Sequence, residues 1–184
     1  MNKKGPWTVL SSKQVYKNPW LRFREDQVLR PDGKPGVYAV LEIGEGASVL
    51  PLDKDNNVYL AKEFYYAIGK DSIGLPGGKV NVGEVPLDTA KRELKEELGI
   101  IANKWTFLCK TSSLPARVDS AGSAFLAEDL EFTNTSQEGT EKVGILKVPY
   151  DEAYKMVLDG RISHSGSCLA ILMAYLLKNN KNDK

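Results

Sequence analysis

The sequence predicts an α+β fold in which strands come first, one helix interrupts them, and helices close the chain. Three observations carry that prediction. Strand-like runs fill most of residues 6–66, and one amphipathic segment, PLDTAKRELKEEL, follows a glycine-rich loop. A second group of strands then leads into two helical patterns at the C-terminal end.

In chain order, WTVLSSKQVY and WLRFREDQVL read as strands separated by a turn at Lys17-Asn18-Pro19. PDGKPG is a turn by composition, and GVYAVLEIG and ASVLPLD are strands. DKDNN turns the chain into the strand NNVYLAKEFYY. Pro86 suits the first position of a helix that runs to Leu98, with Gly99 at its C-terminal cap. KWTFLCKTS, SAFLAEDLEF and KVGILKVP are strands, and helices are expected over 151–159 and 166–178.

At 184 residues the chain suits one domain with a sizeable core. A net charge of +1 gives no reason to expect nucleic acid or a membrane surface as partner. The N-terminus MNKKGPWTVL lacks the apolar core of a secretory signal, and the apolar run Cys168–Leu177 is too short to span a membrane. Two distant cysteines, Cys109 and Cys168, fit free thiols in a reducing cytoplasm. With them, a single histidine, His164, excludes His-rich and Cys/His zinc sites.

The chemistry concentrates in GGKVNVGEVPLDTAKRELKEELGI, residues 77–100. At helical spacing Leu87, Ala90, Leu94 and Leu98 share one arc, and Glu93, Glu96 and Glu97 share another. Like charges this close on a helix cost roughly 0.2–0.5 kcal/mol a pair, so arginine, solvent or a cation should offset the repulsion. Arg92 can pair with Glu96 one turn on. Carboxylates beside glycine carbonyls, without thiol or imidazole, are what Mg²⁺ or Mn²⁺ prefers. GGKV lacks the ending of a Walker A loop, so the phosphates of a substrate would have to be held through the cation.

Gly78, five residues, Glu84, seven residues, then Arg92-Glu93-Leu94-Lys95-Glu96-Glu97-Leu98-Gly99-Ile100 matches the Nudix box at every defined position. A chance match is on the order of one in 10⁹ per window. The chain therefore resembles the Nudix hydrolases. That resemblance implies a mixed sheet sandwiched between helices, and hydrolysis of a nucleoside diphosphate linked to another moiety. It implies Glu93 and Glu97 as principal metal ligands, assisted by Glu96 and by the carbonyl of Gly77. Arg92 would orient the glutamates, and Glu84 would tie the loop to the helix.

Over most of its length the chain is similar to the ADP-ribose pyrophosphatase subgroup. This divides it into an N-terminal strand region, residues 1–35, and a Nudix domain, 36–184, with the box at 78–100. It implies a homodimer, with exchanged N-terminal strands whose aromatic residues, Trp7 or Trp20, would stack on adenine. Pro115 stands where the subgroup has a proline, and Glu138 and Glu141 are the candidates for general base. One departure concerns the substrate. Where relatives carry an arginine after the strand VYLAK, this chain reads Glu63-Phe64-Tyr65, so Tyr65 and Arg117 join Gly78 as substrate-binding candidates. The expected reaction is cleavage of ADP-ribose or a related nucleoside diphosphate sugar. The alternatives are a non-catalytic nucleotide-sugar-binding domain and a hydrolase of another organic diphosphate.

Overall fold

The computed structural model describes residues 2–137 and 142–182. Their order is β1 (Asn2–Lys4), β2 (Trp7–Lys17), β3 (Arg22–Leu29), β4 (Pro35–Glu42), β5 (Gly46–Pro51), β6 (Asn57–Tyr65), β7 (Lys70–Gly74) and β8 (Gly77–Lys79). Helix α1 (Pro86–Leu98) follows, then β9 (Ile100–Thr111), β10 (Val118–Asp119), β11 (Gly122–Phe132) and β12 (Gly144–Pro149). Helices α2 (Tyr150–Leu158) and α3 (Ser165–Asn182) end the chain. It folds as two compact units, Met1–Gly44 with Ser112–Ala121, and Glu45–Thr111 with Gly122–Lys184.

The smaller unit is one five-stranded sheet in the order β1-β2-β3-β4-β10. The turn read at Lys17-Asn18-Pro19 forms because Asn18 Oδ1 accepts hydrogen bonds from the amides of Trp20 (2.9 Å) and Leu21 (2.8 Å). Strand β4 pairs with β3 along its whole length, from Pro35 opposite Leu29 to Glu42 opposite Arg22. The unit therefore runs through Gly44. A much later segment supplies the fifth strand, with Val118 beside Leu41 and Asp119 beside Glu42 in parallel pairing. Within this sheet Arg24 is ion-paired with both Asp26 and Glu42.

The larger unit holds a four-stranded sheet, β8-β5-β11-β9, and a three-stranded sheet, β12-β6-β7. Strand β5 runs parallel to β11, while β9 and β11 are antiparallel, so the first of these sheets is mixed. Alternation along the strands sends side chains into two cores. Ala47, Val49, Tyr59, Ala61, Phe125 and Ala127 pack with Ala90, Leu94 and Leu98 of α1. Leu50, Leu52, Val58, Leu60 and Ala124 pack with Tyr150, Ala153 and Met156 of α2 and Ala170, Ile171 and Ala174 of α3. The result is a helix–sheet–helix sandwich within an α+β chain. The predicted apolar arc of α1 is the one buried: Ala90 and Leu94 are fully inaccessible.

Both ends of α1 form for the reasons its sequence suggests. Pro86 occupies the first turn, where a missing N–H costs nothing. Gly99 adopts a left-handed cap at φ 63°, and its amide reaches back to Leu94 and Lys95. That cap turns the chain directly into β9, which starts at Ile100 rather than at 104.

Candidate active site

The larger unit gathers the box residues around one side chain. Arg92 Nε donates to Glu84 Oε1 at 3.0 Å, and Nη2 lies 3.4 Å from Glu84 Oε2. Its Nη1 lies 2.8 Å from Glu93 Oε1 and 3.0 Å from Glu96 Oε2. A planar guanidinium can serve three carboxylates at once because its donors point outward in a fixed fork. The expected pairing of Arg92 with Glu96 is present, and two further acids share it.

Glu84 is held in turn by Thr89 Oγ1 (2.8 Å) and the amide of Asn81 (3.1 Å). Hydrogen bonding by Arg92, then by Thr89 and Asn81, pulls its carboxyl down to about 2. Glu84 first, then Glu93 and Glu96, raise Arg92. Glu84 thus ties the loop to the helix.

The glycines act by allowing close approach. A Cβ on Gly78 would fall 2.1 Å from Glu93 Oε1, so the carboxylate rests where a side chain would stand. A Cβ on Gly77 would meet the backbone of Ala47 and Ser48 at 2.3 and 2.7 Å. This follows from β8 pairing with β5, with Gly77 opposite Ser48 and Gly78 opposite Ala47. The amide of Gly77 donates to Glu97 Oε1 at 3.2 Å. Glu97 is 8% exposed, which is rare for a carboxylate and requires polar partners of this kind.

Tyr65, at the end of β6, lies close enough to Glu63 and Glu97 to feel their charges. Burial first, then those two carboxylates, push its hydroxyl above the usual phenol range. Among the described residues no three His, Cys, Asp or Glu side chains already converge as a cage. Arg92 holds Glu93 and Glu96, and the Gly77 amide holds Glu97. The set is nonetheless all oxygen, carries three carboxylates on one helix, and is flanked by side-chain-free glycines. It fits a hard divalent cation.

Glu138 and Glu141 lie outside the described residues. Residues before them are tied to α1, and Val143 beyond them is tied to Gln137. Gln137 Nε2 donates to the carbonyls of Glu97 (3.0 Å) and Val143 (2.8 Å), and its Oε1 accepts from the Val143 amide (3.2 Å). The Ser136 amide donates to the Glu96 carbonyl at 3.0 Å.

The smaller unit contains a cavity of about 440 Å³. Trp7, Pro115 and Arg117 all line it, with Tyr38, Arg24 and Asp26. Trp7 meets Tyr38 edge to face at 5.4 Å, and the Arg117 guanidinium sits over the Tyr38 ring at 5.2 Å. Asp26 is 3% exposed, and its Oδ1 has no hydrogen-bond partner among the described residues. Trp20 does not line this cavity and is 69% exposed. Sequence reasoning missed Tyr38 and Asp26. Alternation along β3 and β4 puts both on a single face, but only pairing with the distant β10 encloses them.

A sheet–helix sandwich with an arginine-centred cluster of glutamates on a loop and helix has the donor set of a cation-dependent hydrolase. Comparison with known proteins identifies the family. The NUDIX domain profile matches residues 43–165, and the nucleoside diphosphate sugar hydrolase N-terminal domain profile matches residues 7–41. The chain belongs to the Nudix family and is a Nudix hydrolase. It is 26% identical over 165 residues to the ADP-ribose pyrophosphatase of Bacillus subtilis, covering 89% of each chain. It is 27% identical over 170 residues to the ADP-ribose pyrophosphatase of Mycobacterium tuberculosis, covering 91% of this chain and 82% of that one. The crystal structure of an ADP compounds hydrolase superposes with a TM-score of 0.87 at 21% identity, covering 98% of both chains.

Proposed function

We propose that the chain hydrolyses the diphosphate bond of ADP-ribose or a related nucleoside diphosphate sugar, with Mg²⁺ or Mn²⁺ as cofactor. Water adds to one phosphorus, the bridging P–O bond breaks, and a nucleoside monophosphate and a sugar phosphate leave. The observation that carries this reading is the Arg92 cluster with Gly78 seated against Glu93. Two relatives similar over about nine-tenths of the chain are ADP-ribose pyrophosphatases.

Glu93, Glu96, Glu97 and the Gly77 carbonyl would hold the cation, which supplies charge neutralisation on the diphosphate and activation of water. Arg92 orients Glu93 and Glu96, and the Gly77 amide fixes one oxygen of Glu97. Glu138 or Glu141 would take the proton from the attacking water. Gln137 and Val143, which flank these two acids, are tied to α1 or to each other. Where relatives carry an arginine this chain has Tyr65, and either Arg117 supplies the missing charge to the substrate or the moiety beyond the diphosphate differs from ribose. We assign base recognition to the smaller unit, where Trp7 and Tyr38 offer aromatic surface and Pro115 and Arg117 complete the lining.

A homodimer is consistent with the exposed apolar residues Leu10, Val15, Tyr16, Trp20 and Val37 of the smaller unit. The free thiols of Cys109 and Cys168 suit a reducing cytoplasm. Among the described residues no helix is long and apolar enough to cross a membrane.

The test is a panel of nucleoside diphosphate sugars and other organic diphosphates, incubated with Mg²⁺ or Mn²⁺ and resolved by chromatography. ADP-ribose should yield AMP and ribose 5-phosphate. Failure to cleave any diphosphate with either ion would overturn the reading.

A further inference from the structure

A buried serine remote in sequence from the box holds the loop that leads into it. Ser167 lies in the first turn of α3 and is fully inaccessible. Its Oγ accepts a hydrogen bond from the Leu75 amide at 3.0 Å and lies 2.9 Å from His164 Nδ1. The Oγ also rests against Gly74, where an added Cβ would come within 3.1 Å. The Ser167 amide also points at His164 Nδ1, at 3.4 Å, so Nδ1 is the accepting nitrogen, the hydroxyl gives it its hydrogen, and the imidazole proton lies on Nε2. Burial lowers the His164 pKa and so favours this neutral ring. The carbonyl of His164 accepts from the Cys168 amide at 2.9 Å, which anchors the relay to the helix.

Two residues beyond Leu75 is Gly77, whose amide holds Glu97, and then Gly78, which seats Glu93. Pro76 between them has no N–H to give. Leu75 and Gly77 therefore carry the amides on either side of Pro76, and Ser167 takes one of them. The Pro76 carbonyl accepts from Val49 at 3.0 Å, which sets the height of the loop on the sheet. Ser167 controls how it enters.

We propose that Ser167, with its hydroxyl hydrogen directed by His164, is a positioning residue for the cation-binding loop. The inference rests on the proposed cation-dependent hydrolysis. Groups that orient ligands from behind typically change metal affinity about 10–100-fold when removed, and the lower end is expected here because Ser167 acts through Leu75.

The experiment titrates Mn²⁺ into the substrate-free protein and follows the free ion by electron paramagnetic resonance. Ser167→Ala should weaken Mn²⁺ binding about tenfold and raise the Mg²⁺ concentration for half-maximal rate by a similar factor. Substrate KM at saturating metal should stay within about twofold, a split that general loosening of the fold would not produce. Ser167→Thr, which keeps the hydroxyl, should restore binding, and His164→Ala should weaken it in the same direction. Should Ser167→Ala fail to fold, Ser167→Cys keeps nearly the same volume with a poor acceptor and carries the same expectation. A folded Ser167→Ala or Ser167→Cys protein that binds Mn²⁺ like the unsubstituted chain overturns the inference. An unsubstituted protein that neither binds Mn²⁺ nor cleaves a diphosphate instead overturns the proposed function, and the positioning role with it.

Discussion

The guanidinium of Arg92 grips Glu84 with two nitrogens, Nε at 3.0 Å and Nη2 at 3.4 Å, while its third faces the acids of the helix. This fork cannot be copied by a point charge. Arg92→Lys should therefore lower kcat by about tenfold to 100-fold, since one ammonium cannot orient Glu84, Glu93 and Glu96 together. Steady-state kinetics at saturating metal checks it.

Glu97→Gln keeps an oxygen for the Gly77 amide but removes the charge. Turnover should fall at least about 100-fold, with the circular dichroism spectrum retained and little change in melting temperature. Turnover like that of the unsubstituted chain would remove Glu97 from the metal site.

The two glycines should separate by phenotype. In Gly77→Ala the new Cβ meets backbone atoms of Ala47 and Ser48, which cannot swing away, so the melting temperature should drop. In Gly78→Ala it meets the end of the Glu93 side chain, which can turn aside. That variant should stay folded and lose activity and Mn²⁺ affinity together. Equal melting temperatures for the two would contradict the placement of β8 on β5.

Acid should weaken the fold through Glu84. Its carboxyl ordinarily titrates near 4.5 and is held at about 2 in the folded chain. A lowered folded value means that the contribution is fully present above 4.5 and is lost as pH falls toward 2. In Glu84→Gln this component is gone, so thermal melts across that window should show a flatter pH dependence. Identical slopes in the two proteins would show that the Arg92 contact adds nothing to stability.

Trp7→Ala should raise KM for nucleoside diphosphate sugars about tenfold or more, given the roughly 1–3 kcal/mol that base–aromatic stacking supplies. Trp20→Ala is the contrast, because Trp20 is exposed and does not line the cavity. A KM raised only by the second substitution would move base recognition away from the cavity.

The longer elements were legible because their signals are local. The α1 boundaries followed from Pro86 and Gly99, and the acids of the box from their spacing. Strands β1, β7, β8 and β10 were not read. The three residues Gly77-Gly78-Lys79 have no strand propensity and pair only because β5 lies alongside them. Val118 and Asp119 are too few to show a period, and they pair with residues 41 and 42. The same limit applies to the site. Glu93 and Glu97 announce themselves through their repeat, whereas the contacts of Tyr38 with Ala116 and of Ser167 with Leu75 join residues far apart in the chain. His164 gave no sign of chemistry in the sequence, and the hydroxyl and amide of Ser167 beside it give its Nδ1 a role.

The smaller unit is built from two stretches of chain, Met1–Gly44 and Ser112–Ala121. During synthesis its first four strands leave the ribosome long before β10 exists to pair with β4. The glutamate helix is made in the interval. A nascent chain therefore carries its acid cluster before the cavity lined by Trp7 and Arg117 can close. A fragment cut after Gly44 would keep an unpaired sheet edge on β4 and lose Pro115 and Arg117, so the unit cannot be excised as a contiguous module.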